Sequence, residues 1–84
     1  MEPAKKWYTT PQRKLYAGCR GVAVTKLQQM LIQLGYLSTG DDDGKFGPAT
    51  KTAVMDFQAA AGIGQDGVVG AKTYVKLYEA LGIN

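Results

Sequence analysis

Carboxylates are the side chains of this 84-residue chain that could do chemistry, because the sequence has no histidine and one cysteine, Cys19. It therefore lacks the usual general base, the usual Cys–His nucleophile pair and the usual zinc ligands. Asp43 and Asp66 could serve as the acid and base of a glycosidase, which needs two carboxyl groups about 5 to 10 Å apart across a cleft. Without a histidine to activate it, Cys19 is expected to be a small residue of a turn.

The two aspartates occupy the same place in a repeated motif. Residues 43–50 and residues 66–73, which begin 23 positions later, both read D-G-x-(apolar)-G-x-x-T. Asp-Gly permits a positive φ and a tight turn, and an aspartate at this position can accept hydrogen bonds from the N–H groups of its own turn. Structural duplication therefore explains Asp43 and Asp66 better than catalysis does, and Thr50 and Thr73 are expected to fasten each loop to the following helix.

The acidic run before the first motif also invites a calcium interpretation. Asp41, Asp43 and Gly44 fit the third, fifth and sixth positions of an EF-hand loop. The first and twelfth positions would be Thr39 and Thr50, where the motif requires Asp and a bidentate Glu. A solvated loop is favoured, and we predict neither a metal site nor a cofactor.

Apolar residues at three- and four-residue spacings predict three short helices that position these loops. The first helix spans about residues 22–34 and stops at Gly35, the second begins at Pro48 and ends at Gly62, and the third runs from about Gly70 to Gly82. We predict an all-α fold, a compact three-helix bundle with two structured Asp-Gly loops that form an internal repeat.

Charge is unevenly distributed along the chain. Residues 1–20 carry five basic residues and one acid, whereas residues 21–84 carry five lysines and six acids. A nucleic-acid binder would concentrate basic residues on the folded part, and no apolar run approaches the roughly 18 residues of a membrane span. We therefore expect no nucleic-acid or membrane binding. We interpret residues 1–14 as a basic linker or leader and residues 15–84 as one monomeric domain.

A larger pattern of residues runs through the predicted helices and both loops: Gly18, Gly21, Val24, Leu27, Gln28, Leu31, Gly35, Tyr36, Asp43, Gly44, Phe46, Gly47, Thr50, Ala53, Val54, Phe57, Gln58, Gly62, Ile63, Asp66, Gly67, Val69, Gly70, Thr73 and Leu77. Over about residues 15–82 this pattern resembles the three-helix type of peptidoglycan-binding domain. The resemblance implies a non-catalytic module that attaches a bacterial or phage cell-wall hydrolase to peptidoglycan, and hence an extracellular or cell-wall location. Asp42 and Gln65 depart from the family pattern, which often has a small apolar residue before each Asp-Gly, and the first loop is about one residue longer than usual.

The resemblance does not locate the ligand, which is expected to be the glycan strand, the stem peptide or both. Sugars with apolar faces and peptides with carboxylates and amides require an aromatic platform and a few fixed polar groups. Phe46 and Val69 also fit core positions, whereas Tyr36 and Tyr74 combine an apolar face with a polar tip. We predict a shallow groove lined by Tyr36, Asp43, Phe46, Thr50, Asp66 and Val69, with Tyr74 or Gln58 at its edge.

Three functions remain open from the sequence. The first is a wall-binding module joined to a catalytic domain, whose weak affinity for a single fragment is multiplied by the repeating polymer. The second is a structural or interaction module of the same fold that grips a protein partner. The third is an enzyme in its own right, which would depend on Asp43 or Asp66.

Overall fold

A computed structural model describes residues 14–82, and within this range the chain forms three α-helices. Helix α1 spans Val22–Gln33, α2 spans Pro48–Ala61 and α3 spans Ala71–Leu81. The all-α, three-helix fold predicted from the apolar spacing is confirmed. The predicted linker lies outside the described residues except for Lys14, so the boundary at residue 15 stays a prediction.

The helices begin and end close to the predicted positions. Pro48 is the first residue of α2, where its missing N–H costs nothing because no intrahelical partner exists there. Gly62 and Gly82 end α2 and α3 in the left-handed conformation, with φ of 76° and 79°. Helix α1 ends one residue earlier than expected, and the following Gly35 has the predicted left-handed φ of 91°.

The core forms where the apolar faces of the three helices meet. The side chains of Val24, Leu27, Leu31, Val54 and Leu77 are completely buried. Removing such side chains from water is the main favourable contribution to folding. The rest of the buried apolar cluster is Leu15, Met30, Leu37, Phe46, Ala53, Phe57, Val69, Tyr74 and Tyr78.

The segment before α1 holds the two Asp-Gly loops together. Leu15 is 4% exposed, and its backbone exchanges two hydrogen bonds with Val69 of the second loop, of 3.1 and 2.8 Å. Cys19 O accepts a 2.9 Å bond from Phe46 N, and Gly21 N donates to Gly44 O, so the same segment also pairs with the first loop. These pairs are isolated bridges rather than strands. Residues 15–21 are therefore part of the fold.

Candidate functional site

The first Asp-Gly loop is built around the buried side chain of Gln28 on α1. Its Nε2 lies within hydrogen-bond distance of three acceptors: Asp43 Oδ1 at 3.1 Å, Lys45 O at 2.9 Å and Thr50 Oγ1 at 3.0 Å. Its Oε1 accepts a 2.8 Å bond from Gly44 N. Asp43 Oδ1 also accepts from Lys45 N at 3.0 Å. One amide thus ties α1 to the loop and to the first turn of α2.

The second loop is built in the same way around Gln58 on α2. Its Nε2 lies 2.9 Å from Asp66 Oδ1, 3.0 Å from Val68 O and 3.1 Å from Thr73 Oγ1. Its Oε1 accepts from Gly67 N at 3.1 Å, and Asp66 Oδ1 accepts from Val68 N at 3.0 Å. The predicted bonds from each turn to its own aspartate are confirmed, and each threonine joins its loop network. Both glutamines are at most 1% exposed, so these bonds replace those that water would have made.

Both aspartates are held as carboxylates. Hydrogen bonds from Lys45 N and then from the Gln28 amide lower the pKa of Asp43. Hydrogen bonds from Val68 N and then from the Gln58 amide lower the pKa of Asp66, with a smaller contribution from the charge of Lys14. A hydrogen bond to the ionised form favours that form. At neutral pH neither group carries a proton that it could donate.

Three surface cavities lie near the predicted site residues. The α3 cavity, of about 390 Å³, lies beside the second loop and is lined by Lys14, Gln58, Ile63, Gly64, Asp66, Val68, Gly70, Ala71, Lys72 and Thr73. The α2 cavity, of about 180 Å³, lies beside the first loop and is lined by Asp41, Asp43, Lys45, Gly47, Pro48, Ala49 and Thr50. The Tyr36 cavity, of about 370 Å³, is lined by Tyr36, Phe57, Ala60, Ala61, Lys76, Glu79 and Ala80.

The structure distributes the eight predicted site residues among these cavities and the core. Phe46, Val69 and Tyr74 are buried core residues that line none of the three cavities. Burial raises the pKa of Tyr74 to about 12, so its phenol stays protonated. The remaining five lie on the cavities: Asp43 and Thr50 on the α2 cavity, Gln58 and Asp66 on the α3 cavity, and Tyr36 on its own. Their assignment to one binding groove stays a prediction.

The Tyr36 cavity combines an aromatic wall with small side chains. Tyr36 is half-buried and meets Phe57 edge to face, with ring centroids 5.6 Å apart. Ala60, Ala61 and Ala80 contribute small side chains to the cavity lining. Lys76 and Glu79, whose charged groups are 3.6 Å apart, supply exposed polar groups. This composition suits a ligand with an apolar face and a polar rim.

Neither a metal-holding group of side chains nor a membrane-spanning helix is found in the described part of the chain. Between residues 14 and 82, no group of three His, Cys, Asp or Glu side chains lies close enough to hold a metal ion. None of the helices in that range has the length and apolar character that a membrane crossing requires.

The structural role of Gln28 and the shared cavity of two lysines were not predicted from the sequence. Gln28 lies four residues after Val24 and three before Leu31, which places it on the apolar face of α1. A glutamine at such a position signals a buried hydrogen-bond network, and Gln58 next to Phe57 gives the same signal on α2. Lys14 and Lys72 are 58 positions apart in the sequence, and no pattern indicates that they line one cavity.

Curated relatives share most of this chain but are longer. A zinc D-Ala-D-Ala carboxypeptidase of Streptomyces albus G is 46% identical over 68 residues, which are 77% of this chain and 26% of that protein. A chloroplastic protein disulfide isomerase of Arabidopsis thaliana, pTAC5, is 36% identical over 80 residues, 92% of this chain and 20% of that protein. The chain thus spans about a quarter or less of the length of these two relatives.

Solved structures and a family profile agree with the fold. The SleB N-terminal domain superposes with a TM-score of 0.77 at 38% identity, covering 81% of this chain and 92% of that one. The endolysin of Burkholderia phage AP3 has a TM-score of 0.72 at 42% identity, covering 79% of this chain and 25% of that one. Residues 20–77 match the profile of the peptidoglycan binding domain. The chain therefore belongs to the peptidoglycan-binding domain family.

Proposed function

We propose that this domain binds peptidoglycan, holds an attached hydrolase at the bacterial cell wall and catalyses no reaction itself. Membership in the family carries the proposal, supported by relatives that are named as a carboxypeptidase and an endolysin. Each of these two is about four times as long as the region it shares with this chain. A neighbouring catalytic domain and an extracellular or cell-wall location fit this arrangement.

The state of the two aspartates supports a non-catalytic role. A glycosidase requires one carboxyl group that stays protonated near neutral pH, which needs a raised pKa. The pKa values of both Asp43 and Asp66 are lowered instead. The Oδ1 atom of each already accepts two hydrogen bonds that shape its loop. These carboxylates have the surroundings of structural groups.

We restrict the predicted groove to the residues whose side chains remain accessible at the surface. Tyr36 is half-buried, and Asp43 and Asp66 are exposed, so these three can touch a polymer while the fold stays intact. Gln58 and Thr50 are buried below the loops and hold them in place through hydrogen bonds. Within this set, Tyr36 is the proposed platform for an apolar sugar face, because its cavity offers both an aromatic ring and an exposed charged pair.

The test is co-sedimentation of the 84-residue chain with insoluble peptidoglycan stripped of teichoic acid, at low and moderate salt. We expect pelleting that resists salt, with weak binding to single soluble fragments, because a repeating polymer multiplies a modest affinity. A peptide of residues 1–20, which carries five of the ten basic residues, controls for charge attraction. Pelleting that vanishes with salt or follows this peptide would contradict the proposal.

Substitution of Tyr36 tests the platform. Tyr36→Ala should weaken retention by about fivefold, the size expected for one lost aromatic contact. Tyr36→Phe should preserve retention because it keeps the ring. Tyr16→Ala is the matched control, since Tyr16 is 52% exposed and lines none of the three cavities. Full retention by a folded Tyr36→Ala variant would remove Tyr36 from the site.

A protein-interaction module of the same fold is the second candidate. The observation that favours it is the Arabidopsis relative, which is named as a chloroplastic protein disulfide isomerase rather than as a cell-wall hydrolase. If this function is correct, the chain should fail to pellet with peptidoglycan at any salt concentration and should be retained by a purified neighbouring domain of its own protein.

A further inference from the structure

The α3 cavity differs from its counterpart beside the first loop in charge. Two lysines and one carboxylate line the α3 cavity: Lys14, Lys72 and Asp66. Two carboxylates and one lysine line the α2 cavity: Asp41, Asp43 and Lys45. We propose that the α3 cavity binds a free carboxylate of the peptidoglycan stem peptide and that the α2 cavity does not. This inference rests on the proposed function.

The cavity volumes and the first residues of the two helices also favour the α3 cavity over the α2 cavity as the carboxylate site. The α3 cavity is about twice as large, at about 390 Å³ against about 180 Å³. Ala71 begins the helix at the α3 cavity and keeps its backbone N–H, whereas Pro48 begins the helix at the α2 cavity and has none. The α3 cavity therefore has room for a peptide end, two cations to attract it and one more backbone donor.

The acid within the α3 cavity does not cancel its attraction for a carboxylate. Asp66 Oδ1 already accepts from Gln58 Nε2 and from Val68 N, and Lys14 is close enough for its charge to stabilise that carboxylate. Lys14 adjoins Leu15, whose backbone is bonded to Val69 in the second loop. The fold thus anchors one lysine next to the acid, and Lys72 in the first turn of α3 supplies a second positive charge.

The chemistry of the polymer identifies the ligand group. Stem peptides end in, and carry along their length, free carboxylates, whereas the hydroxyl and acetamido groups of the glycan are uncharged. A lysine-lined cavity discriminates between these two components by charge. Stem-peptide binding at the α3 cavity leaves the Tyr36 cavity for the sugars.

The experiment is a titration of the 84-residue chain, followed through its backbone-amide NMR signals, with two synthetic stem tetrapeptides. One peptide carries free carboxylates, and the other carries amides in their place. We expect saturable shifts at residues 70–73 with the acid peptide, little shift at residues 47–50, and loss of these effects with the amide peptide. Lys72→Gln should weaken binding by about two- to fivefold, as for one exposed charge.

Matched variants distinguish a specific role of Lys72 in binding the acid peptide from a change in overall charge or from misfolding. Lys72→Arg should retain binding, and Lys45→Gln, which removes the lysine of the α2 cavity, should leave it unchanged. Lys14→Gln combined with Lys72→Gln should weaken binding by about tenfold, and the spectra report whether each variant is folded. Equal binding of the amide peptide, shifts centred on residues 47–50, or no shifts at all would overturn the inference.

Co-sedimentation of the parent chain and its lysine variants with peptidoglycan distinguishes failure of the stem-peptide inference from failure of wall binding. If the chain pellets with peptidoglycan but ignores the carboxylates, the stem-peptide inference fails and wall binding stands. If the chain does not pellet, wall binding itself fails, and the stem-peptide inference fails with it.

Discussion

The two Asp-Gly loops share one construction but differ in what surrounds them. In each, a buried glutamine holds the aspartate, a loop carbonyl, the glycine N–H and a threonine hydroxyl. Around these shared bonds, the first loop has an acidic cavity and the second a basic one. The repeated glutamines, glycines and threonines therefore build the fold, and the charged residues that differ between the loops are the better candidates for discriminating between ligand groups.

The largest expected effect comes from removing either glutamine. Gln28→Leu or Gln58→Leu keeps a similar volume but leaves the glycine N–H, the loop carbonyl and the buried threonine hydroxyl without their shared partner. Each buried group left unsatisfied costs about 1 to 3 kcal/mol, so the free energy of unfolding should fall by about 3 kcal/mol or more in both variants. Urea unfolding measures this loss.

The paired glutamine variants also test whether the loops are equivalent. Gln29→Leu is the control, since Gln29 is exposed on the same helix as Gln28 and makes a 3.2 Å bond to Asp42 at the surface. Its effect should stay below about 0.5 kcal/mol. The two networks would not be equivalent if one glutamine variant lost several times as much unfolding free energy as the other.

A smaller and unequal effect is expected at the loop glycines. Gly44 and Gly67 have φ of 78° and 71°, so alanine is strained at both, by about 1 to 2 kcal/mol. At Gly44 an added Cβ would lie 2.9 Å from Thr25 Oγ1, a hydroxyl that bonds the Gly21 carbonyl. At Gly67 it would meet the flexible stem of Lys51 at 3.1 Å.

Alanine is expected to destabilise the first loop more than the second. Because the stem of the exposed Lys51 can move away, Gly67→Ala should be milder than Gly44→Ala by about 1 kcal/mol in the free energy of unfolding. Gly64→Ala controls for the loss of glycine itself, because Gly64 lies in the second loop, has no positive φ and would place its added Cβ in open space. A Gly67→Ala loss as large as that of Gly44→Ala would show that Lys51 is held rigidly.

The fold could be predicted from local patterns, whereas the site could not. Apolar spacing gave the helices, and the positions of Pro48, Gly62 and Gly82 gave most of their ends, because each of these signals acts within a few residues. Cavities instead depend on which distant segments meet. Lys14 reaches the α3 cavity through the pairing of Leu15 with Val69, which the sequence did not indicate.

Burial favours the core interpretation of the apolar motif positions. Phe46 and Val69 fitted both the groove and the core, and their exposures are 3% and 0%. Sequence spacing could not separate these cases, because a large apolar side chain beside a turn is used both to pin loops and to bind ligands. Tyr74 is also buried, and its ring stacks on the ring of Tyr78 with centroids 6.2 Å apart.

The smallest effect concerns the charges of the two aspartates and depends on pH. Both pKa values are lowered in the folded state from an ordinary value of 3.8. Their contribution to stability is therefore fully present above that value and is lost as the pH falls through the folded pKa, because protonation favours the unfolded chain. Asp43→Asn and Asp66→Asn should thus lower the thermal midpoint at about pH 7 and differ less from the parent chain at about pH 2.

Asp41→Asn provides the control for this pH dependence, since no hydrogen bond to the Asp41 carboxylate is seen among the described residues. In both loops a nearby lysine adds a charge interaction that salt screens, from Lys45 at Asp43 and from Lys14 at Asp66. The hydrogen bonds from Val68 N and Gln58 to Asp66 are barely screened. Added salt should therefore reduce the effect of Asp66→Asn only slightly. A strong salt dependence would assign the lowered pKa of Asp66 to Lys14 rather than to the shared hydrogen-bond network.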